Sequence, residues 1–86
     1  MTPYEVAFAR SARKELEALD RAIARRVISR IAALASDPRP SGCRKLVGAN
    51  DLWRIRVGDY RVIYAVDYRK RLVDVTVVRH RSDAYR

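Results

Sequence analysis

Two apolar runs, DLWRIRV and YRVIYAV, meet at Gly58-Asp59, and this junction constrains the fold more than any other stretch of the chain. Gly-Asp is a favoured two-residue hairpin loop. Such a loop sets the register: 57 faces 60, 56 faces 61, 55 faces 62, 54 faces 63 and 53 faces 64. Because alternate pairs point to opposite sides, Trp53, Ile55, Val57, Tyr60, Val62 and Tyr64 share one apolar face. Arg54, Arg56 and Arg61 share the other with Ile63. Fork-shaped donors that never lose their charge, fixed on one rigid face, suit a phosphate-bearing or multiply charged ligand. The alternative is a charged sheet surface that discourages aggregation. Trp53, Tyr60 and Tyr64, being on the apolar face, read as core residues more than as base-stacking platforms.

The other segments follow from periodicity. Residues 4–8 alternate weakly and predict a first strand, with Ser11 offering a helix start and Glu15 near it. Ala12, Leu16, Leu19, Ile23, Val27, Ile31 and Leu34 fall at helical spacing, so residues 11–36 are expected to be helical, divided by a cap at Asp20. Arg21, Arg25, Arg26 and Arg30 lie off that stripe and read as a solvated face, or as a surface for RNA or a partner. Asp37-Pro38-Arg39-Pro40-Ser41-Gly42 ends the helical part. Arg44 to Val47 predicts a short extended segment, and Gly48-Ala49-Asn50 turns into the hairpin. After a loop at 68–71, Leu72 to Val78 is rich in β-branched residues and predicts another strand. The expected fold is α+β, one domain over residues 1–86: a two-layer sandwich of an N-terminal strand, a helical hairpin and three or four mostly antiparallel strands. The helices are expected on the Trp53 side, leaving the arginine side open.

The chain carries 19 Lys and Arg against 10 Asp and Glu, a net charge of +9. The excess is uneven: residues 1–43 hold 8 basic and 5 acidic groups, and residues 44–86 hold 11 and 5. A surface of this sign attracts polyanions, whether nucleic acid, acidic lipid or an acidic protein segment. No run approaches the roughly 18 apolar residues of a membrane span, and Arg10, Arg13 and Lys14 interrupt any signal-peptide reading. The single cysteine, Cys43, cannot form an internal disulfide, which fits a reducing, cytoplasmic setting, and it reads as packing or loop filler.

Pairing the last strand with the hairpin through Asp67 opposite Leu72 brings Tyr64 opposite Val75 and Val62 opposite Val77. Arg61 then faces Val78, and Asp59 faces His80. On this register His80 joins the arginine face, while Arg81 points away unless the strand bulges near Arg79. Arginines beside a histidine fit cleavage of an RNA phosphodiester: the guanidiniums offset charge on the transition state, and histidine, with an ordinary pKa of about 6.5, moves protons. The plainer reading of His80 is a lone polar residue at a strand end. Tyr85 follows a polar stretch, and a place at the site or an anchoring role for the tail are both open. The second half has no glutamate and its five aspartates are scattered, which gives no metal-ligand spacing.

Leu52-Trp53-Arg54-Ile55-Arg56-Val57-Gly58-Asp59-Tyr60-Arg61-Val62-Ile63-Tyr64, followed by Val78-Arg79-His80-Arg81-Ser82-Asp83-Ala84-Tyr85, resembles the RelE group of the RelE/ParE toxin superfamily. The likeness extends over nearly the whole chain and includes the helical hairpin and the Lys45-Leu46 ahead of the Trp53 strand. It implies a toxin that cleaves messenger RNA, commonly on the ribosome, by attack of the 2′ oxygen, with no metal or other cofactor. It also implies a cognate antitoxin and a toxin-antitoxin hetero-oligomer. By position, Arg54 and Arg56 match the basic strand pair and Lys45 joins them in binding RNA. Arg61 matches the phosphate-holding arginine, Arg81 the C-terminal catalytic arginine and Tyr85 the terminal tyrosine. His80 sits where several relatives place a histidine. Arg54 and Arg56, whose guanidiniums stay protonated, can hardly serve as the base that lysines can provide elsewhere in the group. The proton acceptor is therefore open between His80 and Tyr85, with Asp83 further off. Two other readings are a ParE-like toxin acting on DNA gyrase and a non-catalytic RNA-binding domain.

Overall fold

The computed structural model describes residues 3–48 and 51–82. The chain runs β1 (Glu5–Phe8), α1 (Arg10–Glu17), α2 (Arg21–Ala33), β2 (Arg44–Lys45), β3 (Leu52–Val57), β4 (Tyr60–Asp67) and β5 (Leu72–His80). The strands form one sheet in the order β1-β5-β4-β3-β2, antiparallel throughout except where β1 lies parallel to β5. The architecture is the expected α+β one, with five strands in the sheet.

The two helices divide where Asp20 stands. Its carboxylate accepts a hydrogen bond from the Ala22 N–H at 3.2 Å, satisfying one of the donors that a helix start leaves unpaired. Ser11 does not cap α1. The cap position is Ala9, which has no side chain to offer, and both Ser11 and Glu15 turn instead toward β5. Ala12, Val27, Ile31 and Leu34 on the helices meet Ile55, Val57, Val62, Tyr64, Val66, Val73, Val75 and Val78 on the sheet, forming the buried core. Tyr64 is fully buried, and its hydroxyl donates to the Pro38 carbonyl at 2.7 Å, tying the segment after α2 to the sheet. Arg39 lies over the Trp53 ring, 5.4 Å from its centroid, and closes that corner. Cys43 packs at the core margin, as its reading as filler anticipates.

The hairpin register is the expected one, from Val57 opposite Tyr60 to Trp53 opposite Tyr64. Gly58 has φ 59°, and Arg71 is the one non-glycine with positive φ among the described residues. A positive φ at the first turn position alone matches a II′ turn, where glycine avoids the clash that a Cβ would bring.

The pairing of β4 with β5 follows expectation only at first. Asp67 opposite Leu72 through Tyr64 opposite Val75 holds, and then the register shifts: Ile63 faces Val77, Val62 faces Val78, Arg61 faces Arg79 and Tyr60 faces His80. Thr76 is the extra residue of a β-bulge. The expected pairs of Val62 with Val77, Arg61 with Val78 and Asp59 with His80 are therefore corrected by one position. The physical reason is burial. Strict alternation would have sent Arg79 into the core, whereas the bulge sends Val78 there and leaves Arg79 exposed.

Candidate nucleic-acid and catalytic site

The helices cover one side of the sheet, so the charged positions of β3, β4 and β5 collect on the other. Arg56, Arg61 and Arg79 stand opposite one another in a row across three strands, and Arg44 stands opposite Arg54 one row away. Like charges directly opposed on neighbouring strands are destabilising, so this row is a standing cost to the fold. Arg79 is offset by an ion pair with Glu15, its Nε 2.5 Å from the carboxylate. Arg61 is only 8% exposed. Burial at that level restricts the orientations open to its side chain.

The bulge decides what joins the row. With one residue added to β5, Arg81 rather than His80 comes to the arginine side, and its N–H donates to the Asp59 carbonyl at 2.7 Å. Arg56, Arg61 and Arg81 line a small cavity of about 80 Å³ with Gly58, Asp59 and Tyr60 at the hairpin turn. Three arginines lining an opening of that size can supply charged donors to an anion such as phosphate.

His80 departs from its expected place. It faces Tyr60, with ring centroids 5.3 Å apart and planes at 89°, on the side away from Arg61. Its Nδ1 accepts from the Ser82 N–H at 3.3 Å and lies 2.9 Å from the Ser82 hydroxyl. Tyr85 and Asp83 lie outside the described residues.

Arg54 belongs to a second depression, at the β2 edge, lined also by Arg44, Lys45, Leu46 and Val47. Lys45 pairs with Trp53, so its strand position is on the helix side, and Arg44 is the β2 residue that shares a face with Arg54. Sequence reasoning passed over Arg44. Period-2 alternation counted back from Arg54 across an antiparallel partner would have found it, had the pairing of β2 been known. Sequence reasoning also passed over Glu15 as a sheet contact and Arg79 as a member of the row.

Arg21, Arg25, Arg26 and Arg30 are exposed, in line with a solvated helix face. Arg26 comes close to the turn: a Cβ at Gly58 would sit 3.4 Å from its guanidinium. Burial pushes the Tyr64 phenol well above its ordinary pKa, and the neighbouring Cys43 acts in the same direction. Tyr64 is thus a structural donor and no proton acceptor. Among the described residues, no three His, Cys, Asp or Glu side chains gather to hold a metal ion, and no helix is long and apolar enough to cross a membrane.

A compact two-helix layer over a five-stranded sheet with arginines on the bare side defines a class of small basic α+β proteins. Within that class, residues 6–85 match the family model described as the ParE toxin of the type II toxin-antitoxin system, parDE. The toxin RelE of Mycobacterium tuberculosis is 32% identical over 85 residues, covering 98% of this chain and 88% of that protein. Among solved structures, the archaeal RelE-RelB complex from Pyrococcus horikoshii is similar with a TM-score of 0.81 and 34% identity, covering 94% of this chain and 97% of that one. The RelBE2 toxin-antitoxin complex of M. tuberculosis also gives 0.81, at 28% identity over 92% of this chain and 99% of that one. The isolated Escherichia coli RelE toxin gives 0.80, at 28% identity over 95% and 90%. The chain belongs to the RelE/ParE superfamily of type II toxins.

Proposed function

We propose that this protein is a RelE-type toxin that cleaves messenger RNA on the ribosome and so stops translation. The observation that carries the reading is the convergence of Arg56, Arg61 and Arg81 around the opening at the hairpin turn. Attack of a 2′ oxygen on the adjacent phosphorus builds negative charge on the phosphoryl oxygens, and the bond to the departing 5′ oxygen breaks as the new one forms. Preorganised cationic donors stabilise that charge, and removing one such donor typically costs about 10²- to 10³-fold in rate. Arg61, held by its burial, and Arg81, aimed by the bulge, are the residues proposed to grip the scissile phosphate. Arg56 and Arg54 bind phosphates further along the strand, with Lys45 and Arg44 at the β2 edge. None of these arginines can take the 2′ proton. His80 stands on the opposite face of the sheet from Arg61, so Tyr85 is the proton carrier proposed, and no metal or other cofactor enters the step.

The relatives whose solved structures are RelE-RelB or RelBE complexes support a cognate antitoxin as partner, in a hetero-oligomer. An acidic antitoxin segment would neutralise the basic face. Its target places the protein in the cytoplasm, acting as one domain over residues 1–86. The family model's description as a ParE toxin keeps in view the second reading that the sequence resemblance allows, a ParE-like toxin acting on DNA gyrase.

Induced expression followed by mapping of message ends separates the two. Cuts inside translated messages are expected, and Arg61→Ala and Arg81→Ala should each abolish them while the protein stays folded. Full toxicity from the folded double variant, or DNA damage with messages intact, would defeat the nuclease reading.

A further inference from the structure

The bulge at Thr76 is tied down from two sides. Its Oγ1 donates to the Ile63 carbonyl at 3.2 Å, and its own carbonyl accepts from the Ser11 hydroxyl at 3.4 Å. Two residues on, the Val78 N–H donates to Glu15 Oε1 at 3.0 Å, and Arg79 Nε pairs with Glu15 Oε2. Ser11 and Glu15 are four apart on α1 and so lie on one helix face. Their location has a reason in the sheet. β1 stops pairing at Phe8 opposite Val75, so beyond that point the outer edge of β5 has no strand beside it, and α1 side chains take its backbone groups. A one-residue slip in a strand sends every later side chain to the opposite face. At this end of β5 such a slip exchanges Arg81 for His80 beside Arg61.

The structure assigns Glu15 the part of a positioning residue: by clamping the edge of β5 at Val78 and Arg79, it holds the register that presents Arg81 to the phosphate. The assignment rests on the nuclease reading for what Arg81 does, but the register itself can be measured without any RNA. Contact between the Tyr60 and His80 rings, seen as cross-peaks in the NMR spectrum of the full-length chain, reports the bulged register. Cleavage of messages on programmed ribosomes, resolved into kcat and KM, reports the placement of Arg81.

Glu15→Ala is expected to lose the ring contact and to lower kcat by about 10²-fold, the cost of a misplaced catalytic group, with KM changed only a few-fold. Glu15→Gln keeps an acceptor for the Val78 N–H and should recover most of both. Wild-type kcat with the ring contact present in Glu15→Ala would overturn the assignment. So would a fall in kcat with the contact intact and no recovery in Glu15→Gln. Should Glu15→Ala not fold, Thr76→Val, which keeps the β-branched shape and removes the hydroxyl tie, takes the same two measurements, and unchanged values there count against the clamp. A wild-type protein that cuts no message would overturn the nuclease reading alone, and loss of the ring contact in Glu15→Ala would still support the clamp.

Discussion

Arg56 and Arg61 stand directly opposite each other, and such like-charge pairs lower the stability of a sheet. Replacing exposed Arg56 with threonine relieves the repulsion and adds a β-branched residue. Arg56→Thr should therefore raise unfolding free energy by roughly 0.5 kcal/mol in urea titrations while weakening binding to RNA. A loss of stability would mean that Arg56 has structural work beyond its charge. Tyr64 makes the opposite kind of contribution. Its folded pKa lies above its unfolded value of about 10, so the stability it gives is fully present below pH 10 and is lost as the pH rises beyond it. Urea titrations at pH 9 and 11 should show that decline, and Tyr64→Phe should lessen it, since a phenylalanine has no proton to lose.

At the level of elements, α2 depends on its start. Asp20→Ala removes the acceptor for the Ala22 N–H and should cost about 1 kcal/mol, read as a lower urea midpoint with an unchanged slope. That cap was legible in sequence because an aspartate interrupts an apolar stripe that resumes in phase. The hairpin was legible for a similar reason: Gly58-Asp59 leaves only one register that keeps Trp53, Ile55, Val62 and Tyr64 together. The ends of the elements were less so. Ser11 and Glu15 look like a capping pair, and only the position of β5 above α1 shows that they serve the sheet edge instead. The bulge did leave a trace. Val77 and Val78 are adjacent apolar residues, and strict alternation after Val75 places Arg79 inward, a conflict that one inserted residue resolves. Without that step the site was half assembled: Arg54, Arg56 and Arg61 were placed on their shared face, while His80 and Arg81 exchanged sides. The parallel pairing of β1 could not be read at all, because alternation tells which way a side chain points and not which strand lies alongside.

Across the whole molecule, a net charge of +9 predicts binding that falls steeply with salt. Each phosphate neutralised on single-stranded RNA should contribute about −0.7 to the slope of log K against log salt concentration, so contacts by Arg56, Arg61 and Arg81 alone give a slope near −2. Filter binding of a short RNA across a salt series measures it, and a flat response would remove the guanidiniums from the interface. The order of strands has a different consequence. β5 lies between β1 and β4, so Glu5 finds its neighbour in Leu72 only after both helices and the β3-β4 hairpin have been made. During synthesis from the N-terminus, the first strand waits unpartnered, and the arginine row stays incomplete until Arg79 and Arg81 have been added. A copy made only as far as β4 therefore has neither its five-stranded sheet nor its full set of guanidiniums, and the ribosome producing it meets no folded toxin until β5 has emerged.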